Sequence, residues 1–186
     1  MNKFLEQFQQ RVHKWGEDRG LNIPQQRRGL YRNLIEEWGE FVRATNNEAR
    51  VDALCDLSVF IFGAYEDFIP TNIRASKGIE WGLLLNEVLT QALKLDYKYN
   101  WRNVQFDLPD YNDDKDIKGL YFECITYIVE LLKQLGYDPQ ECLNETLKEI
   151  ESRRGFFDPT LDKWVKTAHG SYKADYKKCL AEASSE

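Results

Sequence analysis

Histidine is almost missing from this chain: 186 residues hold two, His13 and His169. Each reads as a surface residue, so histidine-based proton transfer lacks parts. Cysteine is sparse as well. Cys55, Cys124, Cys142 and Cys179 form no CxxC pair and no Cys/His cluster with zinc-ligand spacing, which excludes a structural zinc site. Three of the four stand among apolar residues in helical patterns, as reduced core thiols do, and point to a cytoplasmic protein. No G-x-S-x-G elbow, P-loop or Rossmann glycine pattern occurs. The opening Met-Asn-Lys-Phe-Leu-Glu-Gln lacks the apolar run of a signal peptide. The longest apolar run, Leu57–Tyr65, is too short to span a bilayer. No basic stripe offsets the net charge of −6, which argues against a nucleic-acid partner. Strand-like alternation is nearly absent, so the expected class is all-α.

Apolar and aromatic residues are plentiful: 42% of the chain is hydrophobic, with ten Phe, ten Tyr and five Trp. That composition and length describe one globular domain over residues 1–186. Phe4, Leu5, Phe8, Val12 and Trp15 recur at helical spacing over residues 3–15. Gly16 and Gly20 then break the pattern, with Pro24 in the connection. A second helix is expected from Gln25 to about Thr45. A third runs from about Glu48 to Phe68 behind an Asn47 cap, and a fourth from Ile79 to Tyr99. A fifth helix, Gly119 to Leu135, ends at Gly136. A sixth, Pro139 to Arg154, takes Asp138 as N-cap and Pro139 at N1. Residues 155–170 read as extended and loop-like, and Tyr172 to Ala183 as a short final helix. The aspartate run of residues 107–116 lacks EF-hand spacing and reads as a solvated loop.

One acidic constellation stands out. On the second helix, Tyr31, Leu34, Trp38, Phe41 and Thr45 fall within roughly 80° of arc. Glu36, Glu37 and Glu40 form a ridge at the border of that stripe, where side chains face the groove between packed helices. The third helix is apolar almost all round, yet Asp52 and Asp56 share one of its edges. A turn of about three residues makes the two helices antiparallel neighbours, so the two sets of acids can meet. Like charges at about 4 Å repel by roughly 4 kcal/mol at an effective dielectric of 20. Either Mg²⁺ ions or an ion-pair network with Arg32, Arg43 or Arg50 would relieve such a group. Lys148 can face inward from the sixth helix, and Arg153 stands at its end. Trp15 is open to two readings, a platform for a nucleobase or a core anchor.

These residues resemble the all-α nucleoside triphosphate pyrophosphohydrolases, the MazG-like and dimeric dUTPase-like superfamily. Glu36-Glu37-Trp-Gly-Glu40 matches the E-E-x-x-E half of that family's signature. Its second half is E-x-x-D. Here Asp56 matches the Asp, Ala53 stands in the place of the Glu, and Asp52 lies one position away on the same edge. Lys14-Trp-Gly-Glu-Asp-Arg-Gly-Leu is similar to the entry segment of phage-type members. Glu145-Thr-Leu-Lys148 with the later Arg153 is similar to their N-x-x-K helix, and Tyr172-Lys-Ala-Asp-Tyr to their tails. The resemblance implies a four-helix core, here with an added N-terminal helix and a tail helix, in a homodimer or higher homo-oligomer. It implies Mg²⁺-dependent cleavage of a nucleoside triphosphate between the α and β phosphates, with Mn²⁺ as a possible substitute. Glu37, Glu40, Asp52 and Asp56 would be metal ligands, and Glu36 a catalytic residue acting on water. Lys148 and Arg153 would hold phosphates. A non-catalytic helical interaction module and a phosphoribosyl-ATP pyrophosphohydrolase are the alternatives.

Overall fold

Local sequence decides where the helices begin. In the computed structural model, which describes residues 1–66, 114–160, 163–167 and 171–181, α1 spans Asn2–Glu17 and α2 spans Ile23–Arg43. Asn22 and Gln25 form a capping box at the head of α2. Asn22 Oδ1 accepts from the Gln25 N–H at 2.9 Å, and Gln25 Oε1 accepts from the Asn22 N–H at 2.9 Å. Pro24 belongs to the first turn of this helix rather than to the connection before it. The sharp return from α1 uses Gly20 at φ +71°, a left-handed conformation that suits glycine.

Helix α3 spans Asn47–Ala64, and its cap is Asn46 rather than the expected Asn47: Asn46 Oδ1 accepts from the Ala49 N–H at 2.8 Å, and Asn47 is already helical. The three residues between α2 and α3 fold α3 back along α2, and among the described residues this is the most extensive contact between helices. The expected all-round burial of α3 holds. Val51, Leu54, Cys55, Leu57, Ile61 and Phe62 are each at most 1% exposed, so the helix is enclosed by α1, α2 and the later elements. Its end comes at Ala64, earlier than expected. There its last carbonyls are taken by side chains: Gln9 Nε2 donates to Tyr65 O at 2.6 Å and Arg27 Nε to Ala64 O at 2.7 Å. His13 Nε2 donates to Phe62 O at 2.7 Å, so His13 is a half-buried helix cap and not the surface residue expected. The expected helix over 79–99, the acidic loop as far as residue 113, and His169 lie outside the described residues.

Helix α4 spans Asp114–Gln134, so it begins within the aspartate run expected to be a loop and not at Gly119, and it buries Tyr121, Phe122, Ile125, Ile128 and Leu132 against α3. Helix α5 spans Pro139–Ser152. Asp138 caps it as expected, its Oδ1 accepting from the Gln140 and Glu141 N–H groups at 2.8 and 3.0 Å. All four cysteines are buried thiols.

Two C-terminal expectations are corrected. Residues 155–170 are not merely loop-like: β1, Gly155–Asp158, pairs antiparallel with β2, Lys163–Lys166. Asp158 Oδ1 accepts from the Thr160 N–H at 2.8 Å and so builds the turn. Gly155 is required where β2 crosses, because a Cβ there would strike Val165 O and the Trp164 ring. The tail is not an α-helix either. Its N–H groups are spent on α5 and on the turn before it: Tyr172 N–H donates to Ser152 Oγ at 2.8 Å, and Ala181 N–H to Gly136 O at 2.9 Å. The tail therefore runs extended from the end of α5 back to its start, with one short 3-10 turn at Tyr176–Cys179. The class is thus mostly helical with a small two-stranded sheet. Among the described residues, no helix is long and apolar enough to cross a membrane.

Candidate functional site

The acids of α2 and α3 face one another across their shared groove. Glu37 is half-buried, while Glu36 and Glu40 are exposed beside it. Burial, and then the neighbouring charges of Asp56, Glu40, Glu36 and Asp52, push the Glu37 carboxyl up to about 8. The other four expected acids thus all act on Glu37. Asp56 is pushed up to about 6, first by burial and then by Asp52 and Glu149, with Arg153 and Lys173 opposing. Among the described residues, no three acidic, imidazole or thiol side chains close on a common point as ligands would.

The expected relief by α2 and α3 arginines is not what the fold uses. Among the described residues, Arg32, Arg43 and Arg50 form no ion pair with these carboxylates. Arg50 binds Asn47 Oδ1 at 2.9 Å, and the Arg43 guanidinium lies back against Gly39 on its own helix.

The cations come instead from α5 and the tail. Arg153, the C-cap of α5, donates to Glu149 Oε1 at 2.9 Å, and its charge reaches Asp56. Lys173 Nζ lies 3.4 Å from Asp52 Oδ2 and 3.3 Å from Glu149 Oε2. Tyr176, its phenol kept protonated by burial, donates to Asp52 Oδ1 at 3.0 Å. Lys148, expected to face inward, does not. Its side chain is 56% exposed and pairs with Glu145. The reason is helical phase: residues 142, 146, 149 and 153 form the inward face of α5, and position 148 falls outside it.

Sequence reasoning missed Glu149, Lys173 and Tyr176, and took Glu145 only for a replaced asparagine. Glu145 and Glu149 are both nearly buried, four residues apart, and they clip the tail. Ala174 N–H donates to Glu149 Oε2 at 2.8 Å and Asp175 N–H to Glu145 Oε2 at 3.1 Å, while the Tyr172 hydroxyl donates to Glu145. Burial works against charge on Glu145, but Lys148, Tyr172 and the Asp175 N–H outweigh it and hold the carboxyl down at about 2. Burial likewise opposes ionisation of Glu149, and the Ala174 N–H and Arg153 overcome it, so its carboxyl lies below the usual range. One signal was legible: Glu149 shares the inward face of α5 with Cys142 and Thr146.

Trp15 takes the anchor reading. Its indole N–H donates to Ile150 O at 2.7 Å, and the Arg19 guanidinium lies 4.9 Å from the ring centroid. Arg19 also lies over Trp164 of β2 and donates to Arg153 O at 2.9 Å. The hairpin, α1 and the end of α5 are thereby held together just behind Arg153.

Comparison with known proteins gives no match: no family model, no curated protein and no solved structure matches the chain. The functional reading therefore rests on the residues themselves and on the motif resemblance.

Proposed function

We propose that this protein is a Mg²⁺-dependent nucleotide pyrophosphohydrolase of MazG-like type, cleaving a nucleoside triphosphate between its α and β phosphates. The observation that carries the reading is the shared electrostatic effect of Glu36, Glu40, Asp52 and Asp56 on Glu37. It leaves Glu37 protonated to about 8, a state that a cation, in place of the proton, would relieve. The donor set suits the ion, because magnesium prefers hard carboxylate oxygens and retains positions for water and phosphate. Glu37, Glu40, Asp52 and Asp56 would hold it, and a bound ion would supply charge neutralisation and a more acidic water. Glu36, exposed at the rim, would orient that water. Arg153 would meet substrate phosphate from the α5 side. Lys148 is kept only as a peripheral cation. The MazG-like four-helix core, a homodimer and a cytoplasmic setting belong to the same proposal.

A second reading has one observation in its favour. Asp52 and Glu149 are already served by Lys173 and Arg153, as in a non-catalytic helical module whose acids work in ion pairs. A panel of nucleoside triphosphates with Mg²⁺, scored separately for pyrophosphate and monophosphate, decides between them. Release of both supports the enzyme, and release of neither across the panel removes it. Including phosphoribosyl-ATP tests the histidine-synthesis branch.

A further inference from the structure

Lys173 is an ammonium delivered to the acid cluster by an element with no helical reason to be there. The tail is fixed at its start by Ser152, at its end by Gly136 and Asp138, and between them by the carboxylates of Glu145 and Glu149. These anchors leave the Lys173 side chain the task of reaching Asp52. Its contacts there are long, 3.4 Å to Asp52 and 3.3 Å to Glu149, and the side chain is 71% exposed. A short, buried pair would be permanent; a long, exposed one is weak and exchanges readily. Asp52 has a second, independent partner in the Tyr176 hydroxyl, which holds its other oxygen. Glu149 likewise keeps Arg153 and the Ala174 N–H. Lys173 can therefore leave without stranding either carboxylate.

We propose that Lys173 is an exchangeable resident counter-ion: it occupies Asp52 while no divalent cation is present, and a divalent cation displaces it. This rests on the metal-binding reading above. The exchange moves no electrons and breaks no covalent bond; one cation would replace another at the Asp52 carboxylate, and the ammonium would turn out to solvent on a backbone that stays clipped to α5. The tail thereby sets a threshold for metal loading, since the ion competes with an intramolecular charge.

The test is a Mn²⁺ titration of the full chain followed by electron paramagnetic resonance, without nucleotide, at fixed near-neutral pH and low salt. Wild type, Lys173→Met and Tyr172→Phe are compared. Lys173→Met removes the competitor, and should bind Mn²⁺ roughly threefold to fivefold more tightly, as expected for losing a weak exposed pair. Tyr172→Phe loosens the tail clip but keeps the ammonium, and should bind like wild type. Without metal, Lys173→Met should melt at a lower temperature than wild type and gain more from added Mn²⁺. Equal or weaker Mn²⁺ binding by Lys173→Met, with wild type binding normally, overturns the exchange and leaves the metal site standing. Mn²⁺ binding by neither protein overturns both. Equal tightening in Tyr172→Phe also overturns it, by assigning the effect to the clip.

Discussion

The α2 and α3/α5 sides of the acid cluster hold the same kind of group in opposite conditions. On the α3/α5 side, Asp52 and Glu149 meet Lys173, Arg153, Tyr176 and a backbone N–H from the tail. On the α2 side, among the described residues, Glu36, Glu37 and Glu40 meet no basic side chain within ion-pair distance. The consequence is visible in their proton affinity. Glu149 is nearly buried yet lies below the usual carboxylate range, while half-buried Glu37 is held up to about 8. Burial alone would raise both, so the difference lies in what the fold brings to each. Among the described residues, Asp52 and Glu149 find cations within the fold, while Glu37 finds further carboxylates and Asp56, raised to about 6, stands between the two conditions.

The largest effect expected is on catalysis. Glu40→Gln and Asp56→Asn each remove a carboxylate from opposite sides of the groove. Each should cut pyrophosphate release by on the order of a hundredfold or more, with helix content by circular dichroism unchanged. If either variant kept full activity, the two sides would not be working on one ion.

Next comes stability on the α3/α5 side. Arg153→Met leaves Glu149, whose side chain is 9% exposed, without its closest cation. A loss of about 3 kcal/mol is expected in urea unfolding, the usual cost of breaking a largely buried pair from one end. A loss near zero would mean that Lys173 and the Ala174 N–H suffice.

The α2 side should respond in the reverse sense. Glu37 binds its proton more tightly folded than unfolded, so its protonation stabilises the fold below its ordinary value of 4.5 and is lost as pH rises to about 8. Metal-free stability should therefore fall across that window, at up to about 1.4 kcal/mol per pH unit. Glu37→Gln should flatten the fall and make the protein more stable than wild type at the alkaline end. Urea midpoints measured at several pH values check the sign, and an unchanged slope would show that Glu37 is not the crowded group. Added Mg²⁺ should reduce the slope in wild type.

The smallest effect is reserved for Lys148. Its ammonium is exposed, and Glu145 retains Tyr172 and the Asp175 N–H. Lys148→Ala should cost less than about 1 kcal/mol and depress activity less than Arg153→Met does. A larger activity loss than Arg153→Met would return Lys148 to the phosphate site.

Much of this arrangement could be read before any coordinates. Asp138-Pro139 announced a helix start, and the apolar circumference of residues 51–64 announced a buried helix, because caps and periodicity are local properties. The border position of Glu36, Glu37 and Glu40 followed from the same geometry. The hairpin was missed because four-residue strands carry too few positions for alternation to show. The tail helix was overcalled because its helical spacing competes with backbone partners on α5 that no local pattern reveals. Lys148 and Lys173 exchanged importance for a related reason. Nothing in a window around either residue says which one the chain's path brings to Asp52, 121 positions away from Lys173.

What the sequence determined alone is the identity and local phase of the groups: five acids on two adjacent helices, a buried α3, and the cap at Asp138. Those depend on hydrogen bonds and side-chain spacing within a few residues. What only the tertiary structure decided is which charges answer which. Long-range electrostatics depends on distance in space, and the extended tail, held by Glu145 and Glu149, sets that distance for Lys173 and Tyr176. The acids were legible, but which of them meet Lys173, Arg153 and Tyr176, and which meet no basic side chain among the described residues, was not.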